Sequence, residues 1–455
     1  MNTDDTIAAI STSIGHSGIG IVRISGSNAI RVVDNLFLSQ MKKKLKHTPS
    51  HRIIYGRIVE PVSREVIDEV LVSVMKAPGT YTREDIIEIN CHGGAVAVRR
   101  VLELVLKSGV RLAEPGEFTK RAFLNGRIDL AQAEAVLDVI SALTDESQKT
   151  AIRQLSGNLS KKIEEIREKL IDLTALVESY IDFPEDDIEP LSVKEMGGKA
   201  QVIQRALQNL INSSKYGLIL RDGLKTAIIG RPNVGKSSLL NALLDHDRAI
   251  VTELPGTTRD VIEEYLNIEG LPLKIMDTAG IRSVRNIAEK EGVKRSLMTM
   301  EDADLVLVVL DGSSALHKTD MELLDKSKSK NTILVINKTD LPQKIRLDES
   351  AGEVIRISAR HGSGLDSLKV KIFKKATGGE VSHGTDIVTN VRHVQAIESA
   401  SSSISSFLAQ LKKDTSPEFL SLELRDALDS IGAIIGITTP DDILNRIFSS
   451  FCIGK

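Results

Sequence analysis

Apolar residues follow three successive rhythms along the chain. Over residues 1–118 they come in short β-branched runs, GIGIVRIS, RIIYGRIV, VIDEVLVSVM and DIIEIN, separated by Gly and Pro. Such runs predict strands, and a more helical stretch, Val96–Lys107, follows the last of them. The expected unit is a small α+β domain. Over 119–218, LAQAEAVLDVISALTDESQKTAIRQL and LSKKIEEIREKLIDLTALVESYI place apolar residues three and four apart with charges between. Gly and Pro nearly vanish there outside IDFPEDDIEP, so helices are expected. Over 219–378, LKTAIIG, LPLKIMD, ADLVLVVLD, NTILVINK and EVIRIS alternate with helical stretches. That alternation predicts βαβ units on a mostly parallel, doubly wound sheet. Beyond ATGGEVSHGT helical texture returns over 379–455, notably in SPEFLSLELRDALDSIGAII. The simplest organisation is an α/β domain inserted into a helical domain whose halves flank it.

Composition narrows the class. A chain of 455 residues has room for two or three domains. With 41% hydrophobic and 27% charged residues it excludes disorder and collagen-like structure. No run of 18 apolar residues occurs, so no membrane-spanning helix is expected. MNTDDTIAAI carries acids where a secretory signal carries Lys or Arg. Two cysteines, Cys91 and Cys452, cannot build a disulfide framework, and a reducing cytoplasm is the expected compartment. The net charge of −3 argues against a bulk nucleic-acid binder and leaves room for a local basic face.

The chemistry begins at Gly230-Arg231-Pro232-Asn233-Val234-Gly235-Lys236-Ser237, which fits G-x-x-x-x-G-K-[ST] between a strand-like and a helix-like segment. Glycines there let backbone N–H groups close around phosphate oxygens, and the helix N-terminus adds partial positive charge. Lys236 is expected on the β- and γ-phosphates, the Ser237 hydroxyl on Mg²⁺, and Ser238 beside them. Asn337-Lys338-Thr339-Asp340 resembles the guanine-reading N-K-x-D of P-loop GTPases, in which the Asp accepts from guanine N1–H and the 2-amino group. Adenine lacks those donors and would leave the carboxylate unpaired. Ser358-Ala359-Arg360 matches the second base-contacting loop. Asp277-Thr278-Ala279-Gly280 ends a strand, with the Asp expected to hold Mg²⁺ through water and the Gly N–H to meet the γ-phosphate. Thr258, in Thr257-Thr258-Arg259-Asp260, is the expected switch threonine completing the Mg²⁺ shell. A Ras-like fold and GTP hydrolysis follow from these parts in this order.

Ras-like enzymes place a water-orienting Gln after D-x-x-G, where this chain has Ile281. The catalytic group must therefore come from elsewhere. Asn233 fits the position that supplies an oxygen to potassium in potassium-dependent GTPases, and it equally fits a turn-stabilising Asn; the loop alone leaves both open.

GRPNVGKSS, TELPGTTRD, DTAGIR, GIVRISG, CHGG, PGEFTKRAFLNGR and the terminal FCIGK together resemble the MnmE/TrmE family of tRNA-modification GTPases over essentially the whole chain. The resemblance implies potassium held by Asn233, Thr252, Leu254 and Thr257, within a loop Thr252-Glu253-Leu254-Pro255-Gly256-Thr257-Thr258 that closes on the nucleotide. It implies that Glu289 orients the attacking water, a role that spacing alone would not give a glutamate in NIAEKEG. Lys236, Thr258 and Glu289 are then the catalytic set. An N-terminal fold like the folate-binding glycine-cleavage T-protein is implied, with 5-formyl-tetrahydrofolate or a related folate near Arg23, Glu88, Arg127 and Lys455. The family pattern has Lys where Arg127 stands, which keeps the charge and changes the donor geometry. Cys452 would lie near that folate, as a reactive thiol or a buried structural one. Implied partners are a second copy of the chain, a flavin (FAD)-dependent protein of the MnmG/GidA type in a heterotetramer, and tRNA, whose wobble uridine U34 receives a carboxymethylaminomethyl or aminomethyl group at C5. The other reading is an RNA-binding ribosome-assembly GTPase. The region after the G motifs shows no G-x-x-G loop in a βαα setting, which weakens it.

Overall fold

The computed structural model describes residues 5–40, 44–182, 193–247, 264–276, 297–347, 353–379, 387–413 and 416–455. It divides into two compact units, 1–137 with 432–455, and 138–431.

The first unit is built on seven strands: β1 (Ile7–Ile10), β2 (Ser17–Ser25), β3 (Phe37–Ser39), β4 (Arg52–Val59), β5 (Val66–Met75), β6 (Ile86–Gly93) and β7 (Arg111–Leu112). Their order is β3-β4-β5-β6-β2-β1-β7, with β7 parallel to β1 and the other pairs antiparallel. Alternate residues face opposite sides of a strand, so Val22, Ile24, Val72, Val74, Ile87 and Ile89 are buried together on one side. Helices α1 (Ala29–Leu36) and α2 (Ala95–Lys107) cover them with Val33, Leu36, Val101 and Val105. On the other side Arg23, Glu88 and Ser73 stand in one cross-strand row. Helix α1 is too short, at two turns, for its 3.6-residue rhythm to emerge from AIRVVDNL.

After β7 come α3 (Glu117–Leu124) and the start of α4 (Leu130–Ser141). The helix Asp441–Ser449 returns to them, and Phe448 and Phe451 pack with Phe123, Leu130 and Ala133. The chain then runs back along the sheet. Pro115 bridges Ile453, and the Phe118 N–H donates to the Lys455 carbonyl at 3.2 Å. Gly454 has φ +97°, and a Cβ there would stand 2.3 Å from the Ile10 carbonyl oxygen, so only glycine fits.

The second unit joins helices to a second sheet. Thr144 breaks the apolar-periodic stretch after α4, its hydroxyl capping the Ser147 N–H at the start of α5 (Asp145–Leu155). Long helices α6 (Asn158–Asp182) and α7 (Val193–Asp222) follow, and α7 packs along the helix Val391–Leu411. Strands β8 (Leu224–Ile229), β9 (Glu264–Ile268), β10 (Leu271–Ile275), β11 (Leu305–Asp311), β12 (Thr332–Asn337) and β13 (Val354–Arg356) are ordered β13-β12-β11-β8-β10-β9. All pairs are parallel except β9 with β10. The expected doubly wound sheet is present. Its antiparallel edge β9 was not legible, because EYLNI offers only Leu266 and Ile268 as buried apolar positions. Strand β8 is the point where the order reverses, with β10 on one side and β11 on the other. Ligands of such sheets bind outside the carboxyl ends of the strands at that point.

Candidate functional site

The loop after β8 occupies the switch point and ends in α8 (Lys236–Asp247). Its backbone turns through left-handed conformations at Asn233 (φ +65°) and Gly235 (φ +102°). A Cβ on Gly235 would meet the Asn337 side-chain nitrogen at 2.1 Å, so the second motif glycine exists to admit Asn337. That buried amide donates to the Val234 carbonyl at 2.9 Å, and its oxygen accepts from the Ala359 N–H at 2.9 Å. One side chain thus fastens the phosphate loop, the N-K-x-D loop and the S-A-R loop together.

Asn337 thus brings the predicted Val234, Gly235 and Ala359 together. Lys236 donates to the Gly230 and Arg231 carbonyls at 2.6 and 3.0 Å, and burial lowers the pKa of its ammonium. Those carbonyls hold the cation over the loop's mouth. The Ser358 hydroxyl donates to Asp340 Oδ1 at 2.6 Å. Ser237 is half-buried in the first turn of α8, and Asn233, Ser238 and Arg360 are exposed. Thr252, Glu253, Leu254, Pro255, Gly256, Thr257, Thr258, Asp277, Thr278, Ala279, Gly280 and Glu289 lie outside the described residues.

Two contacts escaped the sequence reading. Lys338 pairs with Asp311 at 2.6 Å, and the only signal was the acid closing ADLVLVVLD. Hydrogen bonds from Lys338 and Ser313 outweigh the burial that would raise the Asp311 pKa, so its carboxyl stays below the usual carboxylate range. Arg231, a variable position of the motif, bonds the Ser314 hydroxyl and lies 3.2 Å from buried Asp320.

The folate candidates all fall in the first unit. Arg23 Nε donates to Glu88 Oε1 at 2.8 Å, Nη1 donates to the Gly454 carbonyl at 3.3 Å, and the guanidinium lies 5.7 Å from the centre of the Phe118 ring. Arg23 and Glu88 therefore sit together against the Gly454–Lys455 backbone. Arg127 lies 4.7 Å over the Tyr81 ring, and Tyr81 packs on the cluster containing Phe118. None of the four lines the cavity of about 410 Å³ bounded by Ile10, Ile14, Val96, Val98 and Arg99. Cys452 is exposed, which overturns the buried alternative for that thiol. It is Cys91 that is buried, and burial together with Asp68 pushes its thiol up to about 11, leaving it protonated and inert at neutral pH.

Residues 6–127 match the family model of the GTP-binding protein TrmE N-terminus, and residues 130–452 match that of the MnmE helical domain. The chain belongs to the MnmE/TrmE family of tRNA modification GTPases. The tRNA modification GTPase MnmE of Thermoanaerobacter pseudethanolicus is 50% identical over 457 residues, 99% of each chain. Those of Alkaliphilus oremlandii and Geobacillus kaustophilus are each 48% identical over the full length of both chains. The crystal structure of the G domain of the T. maritima FeoB iron transporter is 29% identical over 34% of this chain and 98% of that one, with a TM-score of 0.25. As a family member the chain is a GTP hydrolase, and the loops joined by Asn337 are its candidate nucleotide site. Among the described residues no helix is long and apolar enough to cross a membrane.

Proposed function

We propose that this GTPase acts as a homodimer in the cytoplasm, with an FAD-dependent partner of the MnmG/GidA type. Together they install a carboxymethylaminomethyl or aminomethyl group at C5 of the tRNA wobble uridine, using a folate one-carbon unit. The observation that carries the reading is the family match running through both units, from residue 6 to residue 452.

In the nucleotide site, Lys236 neutralises phosphate charge, Asn233, Val234, Gly235 and Ser238 supply loop donors, and Asp340 with Ser358, Ala359 and Arg360 reads the base. The Ser237 hydroxyl is the kind of hard oxygen that Mg²⁺ takes, with Thr258 completing the shell. Asn233, Thr252, Leu254 and Thr257 supply neutral oxygens to potassium, which puts positive charge where negative charge develops in phosphoryl transfer. Supporting this, Asn233 is exposed, its backbone in the left-handed region, so its side chain is open to a cation. Glu289 orients the attacking water. Replacing KCl by NaCl is expected to slow GTP hydrolysis on the order of a hundredfold, the scale of losing one preorganised charge contact. Phosphate-release assays check this, and equal rates in the two salts eliminate the potassium site.

In the first unit, Glu88 offers a carboxylate to pterin N–H donors, with Arg23, Arg127 and Lys455 suited to the anionic glutamyl tail. The whole reading is tested by nucleoside mass spectrometry of bulk tRNA from cells with and without the gene. Loss of C5-aminomethyl-type uridines, restored by the intact gene and not by Asp277→Ala, is the expected result. An unchanged nucleoside profile accompanied by a ribosomal-subunit assembly defect would transfer the chain to the ribosome-assembly reading.

A further inference from the structure

Between Asp34 and Glu60 the chain carries no acid, although it has 62 acidic residues among 455. That stretch holds Lys44, Lys46, His47, His51 and Arg52, with Lys42 and Lys43 just before them outside the described residues. The structure gathers the described ones at one end of the first unit's sheet. Leu45 is fully buried, and its N–H donates to Asp34 at 2.6 Å. This pins the short 3₁₀ turn Leu45–His47 and leaves Lys44, Lys46 and His47 outside. His51 and Arg52 are exposed at the start of β4, paired beside the end of β5. From that end Lys76, remote in sequence, reaches back and donates to the Lys46 carbonyl at 3.0 Å, while its N–H donates to Ser50.

Local acids neutralise the cations only in part: Asp34 lies against the turn, and Asp85 accepts from the Ala77 N–H beside Lys76. Lys44 approaches Asp34 only to 4.0 Å. Among the described residues Lys46, His47, His51, Arg52 and Lys76 form no ion pair; Lys76 meets a carbonyl and His51 a hydroxyl. Arg57, farther along β4, differs in pairing with Glu69. Clustered exposed cations that outnumber the acids beside them repel one another, and a polyanion with regularly spaced charges relieves that repulsion. The turn itself buries its one leucine, and the exposed apolar side chains nearby, Ile53 and Tyr55, lie along β4 beyond Arg52.

We propose that this face grips the phosphate backbone of the substrate tRNA, an inference that rests on the tRNA reading above. Phosphate contacts of this kind set orientation and carry no sequence information. The test is a titration of the full-length chain with tRNA across a salt series, comparing wild type with Lys44→Gln/Lys46→Gln/Arg52→Gln. The triple variant is expected to bind at least about tenfold more weakly, and its log K against log salt to be shallower by about 2–3, one contact contributing about 0.7–0.9. Its GTP hydrolysis and melting midpoint are expected to stay at wild-type values. A control variant in the other unit, Lys326→Gln/Lys328→Gln/Lys330→Gln, is expected to leave the slope unchanged. Equal affinity and slope in wild type and triple variant, or an equal fall in the control, overturns the surface while the tRNA reading stands. If the wild type shows no salt-dependent binding of tRNA at all, the surface falls, while the nucleoside profile decides the tRNA reading separately.

Discussion

Asp340→Asn is expected to lower GTP affinity by about 10²–10³-fold and to create affinity for xanthosine nucleotides in its place. A site built around a paired polar group discriminates by up to about 10⁴–10⁵ when that pairing fails. Asp340 lies at the surface, where water can rescue part of the loss, so the smaller figure applies. The side chain is already set for the task. Chiefly the hydrogen bond from Ser358 holds its carboxyl below the usual carboxylate range, so it stays an acceptor at neutral pH. Guanine presents two donors, N1–H and the 2-amino group, and an Asn amide would turn its own NH₂ against one of them. Xanthine replaces the amino group by a carbonyl and restores a donor–acceptor match with Asn. Fluorescent-nucleotide titrations with guanosine and xanthosine triphosphates measure the exchange. GTP affinity unchanged by the substitution would remove Asp340 from base recognition.

Arg121→Met is expected to destabilise the first unit by about 3–5 kcal/mol, the cost of breaking a buried ion pair from one side. The Arg121 side chain is 3% exposed and lies among Asp5, Glu84 and Glu117, with bonds to the Asp5 carbonyl at 2.8 Å and Glu117 at 2.9 Å. Arg111 shares Asp5 and Glu117 from the outer side. Burial pushes both of those carboxyls up, and the arginine hydrogen bonds outweigh it and hold them low. A carboxyl depressed in the folded state stabilises above its unfolded pKa of about 4 and loses that contribution as pH falls through its folded value. The wild type is therefore expected to lose this increment in acid, and the gap between wild type and Arg121→Met to narrow below about pH 4. Urea denaturation at pH 7 and pH 3.5, followed by circular dichroism, checks both statements. Midpoints that coincide at pH 7 would show that the cluster is not what holds α3 to β1.

Much of the nucleotide site was legible because its chemistry is local. A phosphate loop needs its glycines and lysine within eight consecutive residues, and a base-reading loop needs Asn and Asp three apart, so spacing alone exposes both. What joins them is not local. Asn337 belongs to N-K-x-D in sequence, yet structurally it is the pin through three loops, and only the approach to Gly235 reveals this. Arg121 was hidden for the same reason. It stands inside the motif PGEFTKRAF as one charge among several, and its partners Asp5 and Glu84 come from distant segments. The long strands of both sheets emerged from their apolar runs, whereas β1, β7, β9 and α1 are too short for a period to accumulate. The basic run from Lys44 to Arg52 is local in sequence, whereas Lys76 joins it only through the β4–β5 pairing.

The return of residues 432–455 to a unit whose other part ends at 137 has a consequence on the ribosome. Roughly 300 residues must be synthesised in between, a delay of about 15–60 s at about 5–20 residues per second. For that interval the nascent first unit lacks Phe448 and Phe451, and the apolar surface of Phe123, Leu130 and Ala133 that they cover stays open. The Phe118 amide and Arg23 likewise wait for the Lys455 and Gly454 carbonyls. Folding of this protein is thus not vectorial: its first-made sheet is finished by a turn made after the inserted unit, which can complete itself first.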